Sequence, residues 1–201
     1  QRFLKGLYRI EGQNLKLQRP NRKGQLSFLA RGDVGGQVLI TRLTFYSDRY
    51  DVDVRIESEG FEKGYTLYVG ANFAITDWGA QTFVGFIGPT SLIDQKIIQD
   101  SPSSIKGEVV HQGKLAWTAL QDKYFLAALI PQDAAGTIVA RKLADQEVTV
   151  GVRQSPATPQ QAYTYRLYAG PKEYDRLRSY HLNLEETIDF GWFIYGSWSV
   201  V

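Results

Sequence analysis

The sequence predicts an all-β protein: a large antiparallel β-sandwich with one short helix near its C-terminal end. Three observations carry that reading. Apolar and polar residues alternate with period two along most of the chain, most cleanly where Val52, Val54 and Ile56 alternate with Asp51, Asp53, Arg55 and Glu57. Turn-forming clusters such as Ser47-Asp48-Arg49, Gln112-Gly113 and Pro131-Gln132-Asp133 interrupt the alternation at short intervals. Helical spacing appears in one stretch, after Gly170-Pro171.

Taken in order, Val38, Ile40, Leu43 and Phe45 form a strand that turns at Ser47–Arg49 into the alternating strand Tyr50–Glu57, a hairpin with one solvated face. Glu59-Gly60 to Gly64 turns into a strand carrying Tyr65, Leu67 and Val69. Gln81–Ile87 is apolar on both faces and closes at Gly88-Pro89. Strands at 96–98, 104–110, 116–120, 125–130, 137–143, 147–153 and 162–168 continue the series, giving about ten strands in one sandwich. Pro171 is then read as the first helical residue, with Tyr174, Leu177 and Arg178 as the stripe against the sheet. Residues 181–189 read as a polar, partly extended connector.

The 201 residues suffice to bury a core without disulfides or metal. Cysteine is absent, which excludes disulfides, thiol nucleophiles and thiolate metal sites. The net charge of +2 is unevenly spread. Residues 1–32 hold eight basic side chains (Arg2, Lys5, Arg9, Lys16, Arg19, Arg22, Lys23, Arg31) against Glu11 alone. These cations are interspersed with apolar residues, so they read as solvated strand faces and loops, with a lipid headgroup or partner contact as the alternative. Aromatic residues lie on alternating strands and are not interleaved with cations as a stacking platform, so no nucleic-acid partner is expected.

No catalytic set emerges. His111 reads as a solvated strand-end histidine, and His181 as a cation suited to the end of a helix. The pairs Asp51/Asp53, Glu57/Glu59 and Glu185/Glu186 read as solvated charge rather than as paired carboxylates of a glycosidase. The sequence lacks a Gly-x-Ser-x-Gly elbow, a phosphate-binding glycine loop and an EF-hand loop. No metal or cofactor is expected.

The run Phe190 to Val201 is uncharged and contains Phe190, Trp192, Phe193, Tyr195 and Trp198. It is shorter than the roughly 20 residues of a membrane-spanning helix, and its residue types are those that gather at the headgroup level. It reads as the place where a water-exposed domain meets a membrane, with Trp192, Phe193, Tyr195 and Trp198 as anchors. The alternative is that these aromatics fold back onto the sandwich.

Two segments carry a family resemblance. The first is 113–131, with Trp117, Gln121, Tyr124, Phe125 and Pro131; the second is 168–193, with Gly170, Pro171, Tyr174, Leu177, Asp189 and Gly191. Their order and separation resemble the large periplasmic domain of YidC-type membrane protein insertases of Gram-negative bacteria. From Val38 onward the chain follows that pattern, and the family's further opening strands are not apparent, so the domain is expected to be N-terminally incomplete. The resemblance implies a β-supersandwich over residues 1–168. Residues 169–201 would then form a C-terminal helix and the start of an interfacial pre-membrane segment. It implies a non-catalytic role on the periplasmic side of the inner membrane, assisting membrane protein insertion. The implied partners are SecDF and SecYEG translocon components, nascent membrane proteins and the lipid interface. A second reading is a mutarotase-like or carbohydrate-binding sandwich, whose acid and base would come from His111, His181 and Glu108.

Overall fold

A computed structural model describes residues 8–11, 15–17, 22–31, 36–60, 64–71, 85–132, 136–144, 147–155 and 160–189. Its thirteen described strands form two antiparallel sheets. The strands are β1 (Tyr8–Glu11), β2 (Lys23–Arg31), β3 (Val38–Tyr46), β4 (Asp51–Glu59), β5 (Tyr65–Ala71), β6 (Gly88–Ile93) and β7 (Lys96–Gln99). They continue with β8 (Glu108–His111), β9 (Leu115–Gln121), β10 (Phe125–Pro131), β11 (Thr137–Ala144), β12 (Glu147–Gln154) and β13 (Gln160–Pro171). The nine-stranded sheet runs β1-β2-β3-β4-β13-β10-β9-β6-β7, and the four-stranded sheet runs β5-β12-β11-β8. A five-residue helix, α1 (Tyr174–Arg178), and a 3₁₀ turn (Leu184–Thr187) follow β13.

Sequence alternation decides which face of the large sheet meets what. On one face Val54, Ile56, Leu129 and Tyr165 pack with Val152, while Ile93 and Leu120 pack with Ile138, Ala140, Val148 and Val150 of the small sheet. On the opposite face Leu92, Trp117, Ala119, Leu126, Ala128, Ile130 and Tyr168 pack with Leu177 and Leu184 of the helical segment. The centre of the large sheet is therefore buried on both sides. That is why β9 and β10 read as continuous apolar runs rather than alternating ones. The layers are the small sheet, the large sheet, and a cap of α1 with the 3₁₀ turn.

Several expectations need correction. Pro171 does not open the helix; it ends β13, in register with Phe125, and α1 begins at Tyr174 after an extended Glu173. Pairing with β10 holds the extended conformation through Pro171, and proline's fixed φ suits a strand end as well as a helix start. Of the expected helical stripe only Leu177 is buried, while Tyr174 and Arg178 are exposed. Residues 181–189, expected as a polar, partly extended connector, also contain the 3₁₀ turn, which buries Leu184 and Thr187.

The strand expected at 81–87 lies mostly outside the described residues; its described part, 85–87, is not strand, and Gly88-Pro89 opens β6. The strand expected at 104–110 starts at Glu108, after a turn at 102–104. Ahead of Val38, β1 and β2 extend the large sheet. Of the basic arm, Lys16, Arg22, Lys23 and Arg31 are exposed, as solvated positions should be.

Candidate functional site at the helical cap

A five-residue helix has no stability of its own, so the cap exists through what it buries and bonds. Leu177 and Leu184 are fully buried, each contributing roughly 2 kcal/mol of apolar burial. Trp117, fully buried in β9, donates its indole N–H to the Leu182 carbonyl at 2.7 Å, tying the connector to the sheet. His181 and Asn183 both adopt left-handed backbone, at φ 55° and 56°, and fold the chain back between α1 and the 3₁₀ turn. The Lys172 ammonium donates to the Thr187 carbonyl at 3.2 Å, and the Lys172 amide donates to the Tyr124 carbonyl at 2.8 Å. One residue thus joins the β9–β10 turn to the last described turn of the chain. Burial pushes the Lys172 amine down to about 8, opposed by the nearby Asp122 and Asp189 carboxylates.

Beside the cap lies a cleft of about 850 Å³ whose charged lining is Arg49, Asp51, Lys114, Arg166 and Arg176. The register of β4 with β13 sets Asp51 opposite Tyr168 and Asp53 opposite Arg166, on the cap side of the sheet. Asp51 is only 4% exposed and accepts a hydrogen bond from the Tyr180 hydroxyl. Arg49 and Arg166 stand 3.8 and 3.9 Å from its other oxygen, and Arg166 is 3.7 Å from Asp53. The solvated-charge reading of Asp51 is therefore wrong: the cap covers the start of β4 and leaves only its later part, such as Arg55, in water. Burial, reinforced by Asp51, raises the Tyr180 phenol, and burial raises the Tyr168 phenol to about 12, so both remain proton donors at neutral pH. A wall of fixed cations and phenols suits holding an anionic group.

The histidines do not assemble a site. His111 is not solvated, since it pairs with Asp100 at 2.9 Å on the edge strand of the small sheet. His181 lies exposed after α1, on the opposite side of the large sheet. Glu108 pairs with Arg153 at 2.7 Å. The acid and base of the sugar-processing reading are thus held apart. Glu57 pairs with Arg42 and, at 2.9 Å, with Arg55, and these guanidinium groups hold its carboxyl below the usual range. Among the described residues no three His, Asp or Glu side chains gather as metal ligands.

Most of the described residues that carried the resemblance lie at the cap or near the adjoining end of β13, with Pro131 at the other end of β10, opposite Tyr165. Trp117 and Leu177 share one core cluster. Gln121 is buried, with its side-chain amide donating to Thr90 at 2.7 Å. Pro131 lines the cleft. Gly170 lies against Tyr50, where an added Cβ would sit 2.8 Å from the ring, and the Pro171 carbonyl accepts the Tyr168 hydroxyl at 2.5 Å. Asp189 lies against Gly85, near Lys172. Tyr124 and Phe125 are exposed at the β9–β10 turn, and Tyr174 is exposed on α1. Gly191, Trp192, Phe193, Tyr195 and Trp198 lie outside the described residues. Sequence reading missed Lys172, Tyr180 and the arginines of the cleft. Their only sequence signal was a lysine directly after Pro171 in an otherwise surface-like helix start.

Among the described residues no helix is long and apolar enough to cross a membrane. Residues 4–198 match the family profile described as the YidC periplasmic domain, so the match reaches ahead of Val38. The chain is 38% identical over 112 residues to a protein of Geotalea daltonii named membrane protein insertase YidC, covering 53% of this chain and 21% of that protein. It is 28% identical over 198 residues to a protein of the same name from Maridesulfovibrio salexigens, covering 94% of this chain and 35% of that protein. With the Chlorobaculum parvum protein of that name it shares 29% identity over 189 residues, covering 85% and 31%. The chain thus spans about a third or less of the length of these relatives. With the match covering nearly its whole length, and most of the described motif residues near one cap, the chain belongs to the YidC periplasmic domain family.

Proposed function

We propose that the chain is the periplasmic domain of an inner-membrane protein insertase. In that role it performs no bond chemistry and positions the machine that brings membrane proteins into the bilayer. Residues 1–168 serve as the body. Residues 169–201 serve as the coupling segment, with Trp192, Phe193, Tyr195 and Trp198 entering the lipid interface. The body docks to SecDF and SecYEG components and meets emerging membrane proteins. The observation that carries this reading is the way the chain is held just ahead of its uncharged aromatic run. Trp117 and Lys172 bond the connector at Leu182 and Thr187, so the chain up to residue 189 is fastened to the nine-stranded sheet. The relatives named as membrane protein insertases support the same assignment.

Capture of the periplasmic domains of SecDF by the immobilised 201-residue chain tests the docking role. Retention is expected at concentrations up to about 100 µM, the range of weak encounters. Absence of retention there contradicts docking through this domain.

A further inference from the structure

Four aromatic side chains are exposed among the described residues, and all four lie at the same end of the large sheet: Tyr124 (61% exposed), Phe125 (50%), Tyr50 and Tyr174. The end of β13 gathers them. Phe125 pairs with Pro171, the Tyr124 carbonyl accepts the Lys172 amide, and the Tyr50 ring lies against Gly170. Tyr174 opens α1 three residues after Pro171. A cation stands over each tyrosine face: Lys123 at 4.9 Å over Tyr124, Arg176 at 4.8 Å over Tyr50 and Arg178 at 5.9 Å over Tyr174. Of the neighbouring acids, Asp122 accepts the Tyr124 and Phe125 amides, Glu173 pairs with Arg176 at 2.9 Å, and Asp175 is exposed on α1 beside Arg176.

We infer that this aromatic tip is a second bilayer-contacting surface, with its rings entering the headgroup layer and Lys123, Arg176 and Arg178 meeting lipid phosphate. The inference rests on the reading that residues 190–201 meet lipid. Single exposed apolar residues are ordinary on protein surfaces, but exposed aromatics gathered at one end of a sheet mark a binding surface. Aromatic rings with adjacent cations match the interface, where one end of a side chain is apolar and the other wet. Placement selects the occupant. Lys172 bonds both the Tyr124 carbonyl, in the tip turn, and the Thr187 carbonyl, two residues before the last described residue. The last described residues, which directly precede the uncharged run beginning at Phe190 in sequence, therefore lie beside the tip. A membrane engaged by that run is brought to Tyr124 and Phe125.

The absence of cysteine allows one nitroxide label per variant. In the full chain with vesicles of phosphatidylethanolamine and phosphatidylglycerol, a label at Tyr124→Cys should gain collisions with oxygen and lose collisions with a water-soluble nickel chelate. A label at Val110→Cys, on the edge of the small sheet, should not change. Replacing the exposed pair, Tyr124→Ser with Phe125→Ser, should lower vesicle affinity roughly tenfold with an unchanged thermal midpoint. A Tyr124 label that stays aqueous while the emission of Trp192 and Trp198 shifts to the blue overturns the tip and leaves the tail reading intact. Contact at Tyr124 with no shift of those tryptophans keeps the tip and removes the tail. A label immobilised by raising protein concentration without vesicles assigns the patch to a second copy of the chain and also overturns the inference.

Discussion

Lys172 illustrates how a single residue reports on the cap. Its pKa falls from 10.5 to about 8 on folding, because the ammonium is half-buried between the tip and the connector. Between those values the unfolded chain holds a proton that the folded chain has released, so stability rises with pH from about 8 toward 10.5. The gain is at most about 3 kcal/mol over that window. Above pH 10 the raised phenols of Tyr65, Tyr168 and Tyr180 work the other way, since their stabilisation is lost once the unfolded tyrosines ionise. A stability maximum near pH 10 in urea titrations is therefore expected, and Lys172→Met should flatten the rising limb. Trp117→Phe tests the other clamp: it leaves the Leu182 carbonyl without its indole donor and should reduce stability by about 1–3 kcal/mol in the same titration. Neither effect could be read from sequence. Lys172 looks like a surface helix residue until pairing of Pro171 with Phe125 places it beneath the tip.

At the scale of elements, legibility followed the range of the determining contacts. β4 was readable because alternation alone fixes Val54 and Ile56 as core. The burial of Asp51 in the same strand was not, because it depends on Tyr180, 129 residues away. The cap was legible as a location but not in form: five helical residues give too little periodicity, and Pro171 is compatible with both a strand end and a helix start. Close approach between strands gives a sharper test. An added Cβ at Gly151 in β12 would meet the Leu67 carbonyl oxygen of β5 at 2.2 Å, next to a register shift between Thr149 and Gly151. Backbone on both sides cannot yield as a side-chain end can. Gly151→Ala should therefore cost about 2–3 kcal/mol and raise hydrogen exchange in β5 selectively, while leaving β9 and β10 protected.

As a whole molecule, the domain is a rigid sheet with two differently occupied faces. The small sheet covers one face, and a cap bonded to the end of β13 covers part of the other. At one end of this arrangement most of the described motif residues, the half-buried lysine and the exposed aromatics lie together. The sequence resemblance pointed to that end because its two segments become β9–β10 and β13 with the cap, which are neighbours in the sheet. What sequence left open was the cleft, since Arg49, Lys114, Arg166 and Arg176 come from separate elements and no local spacing connects them.

The central claim is that the chain beyond residue 189 carries this end to a membrane surface. The most direct measurement is tryptophan emission of the full chain titrated with vesicles containing phosphatidylglycerol. In a chain carrying Trp78→Phe a blue shift is predicted, and it should disappear when Trp192→Phe and Trp198→Phe are added, because the one tryptophan left, Trp117, is already buried. Emission unchanged by vesicles, or a shift that survives those two substitutions, contradicts the claim.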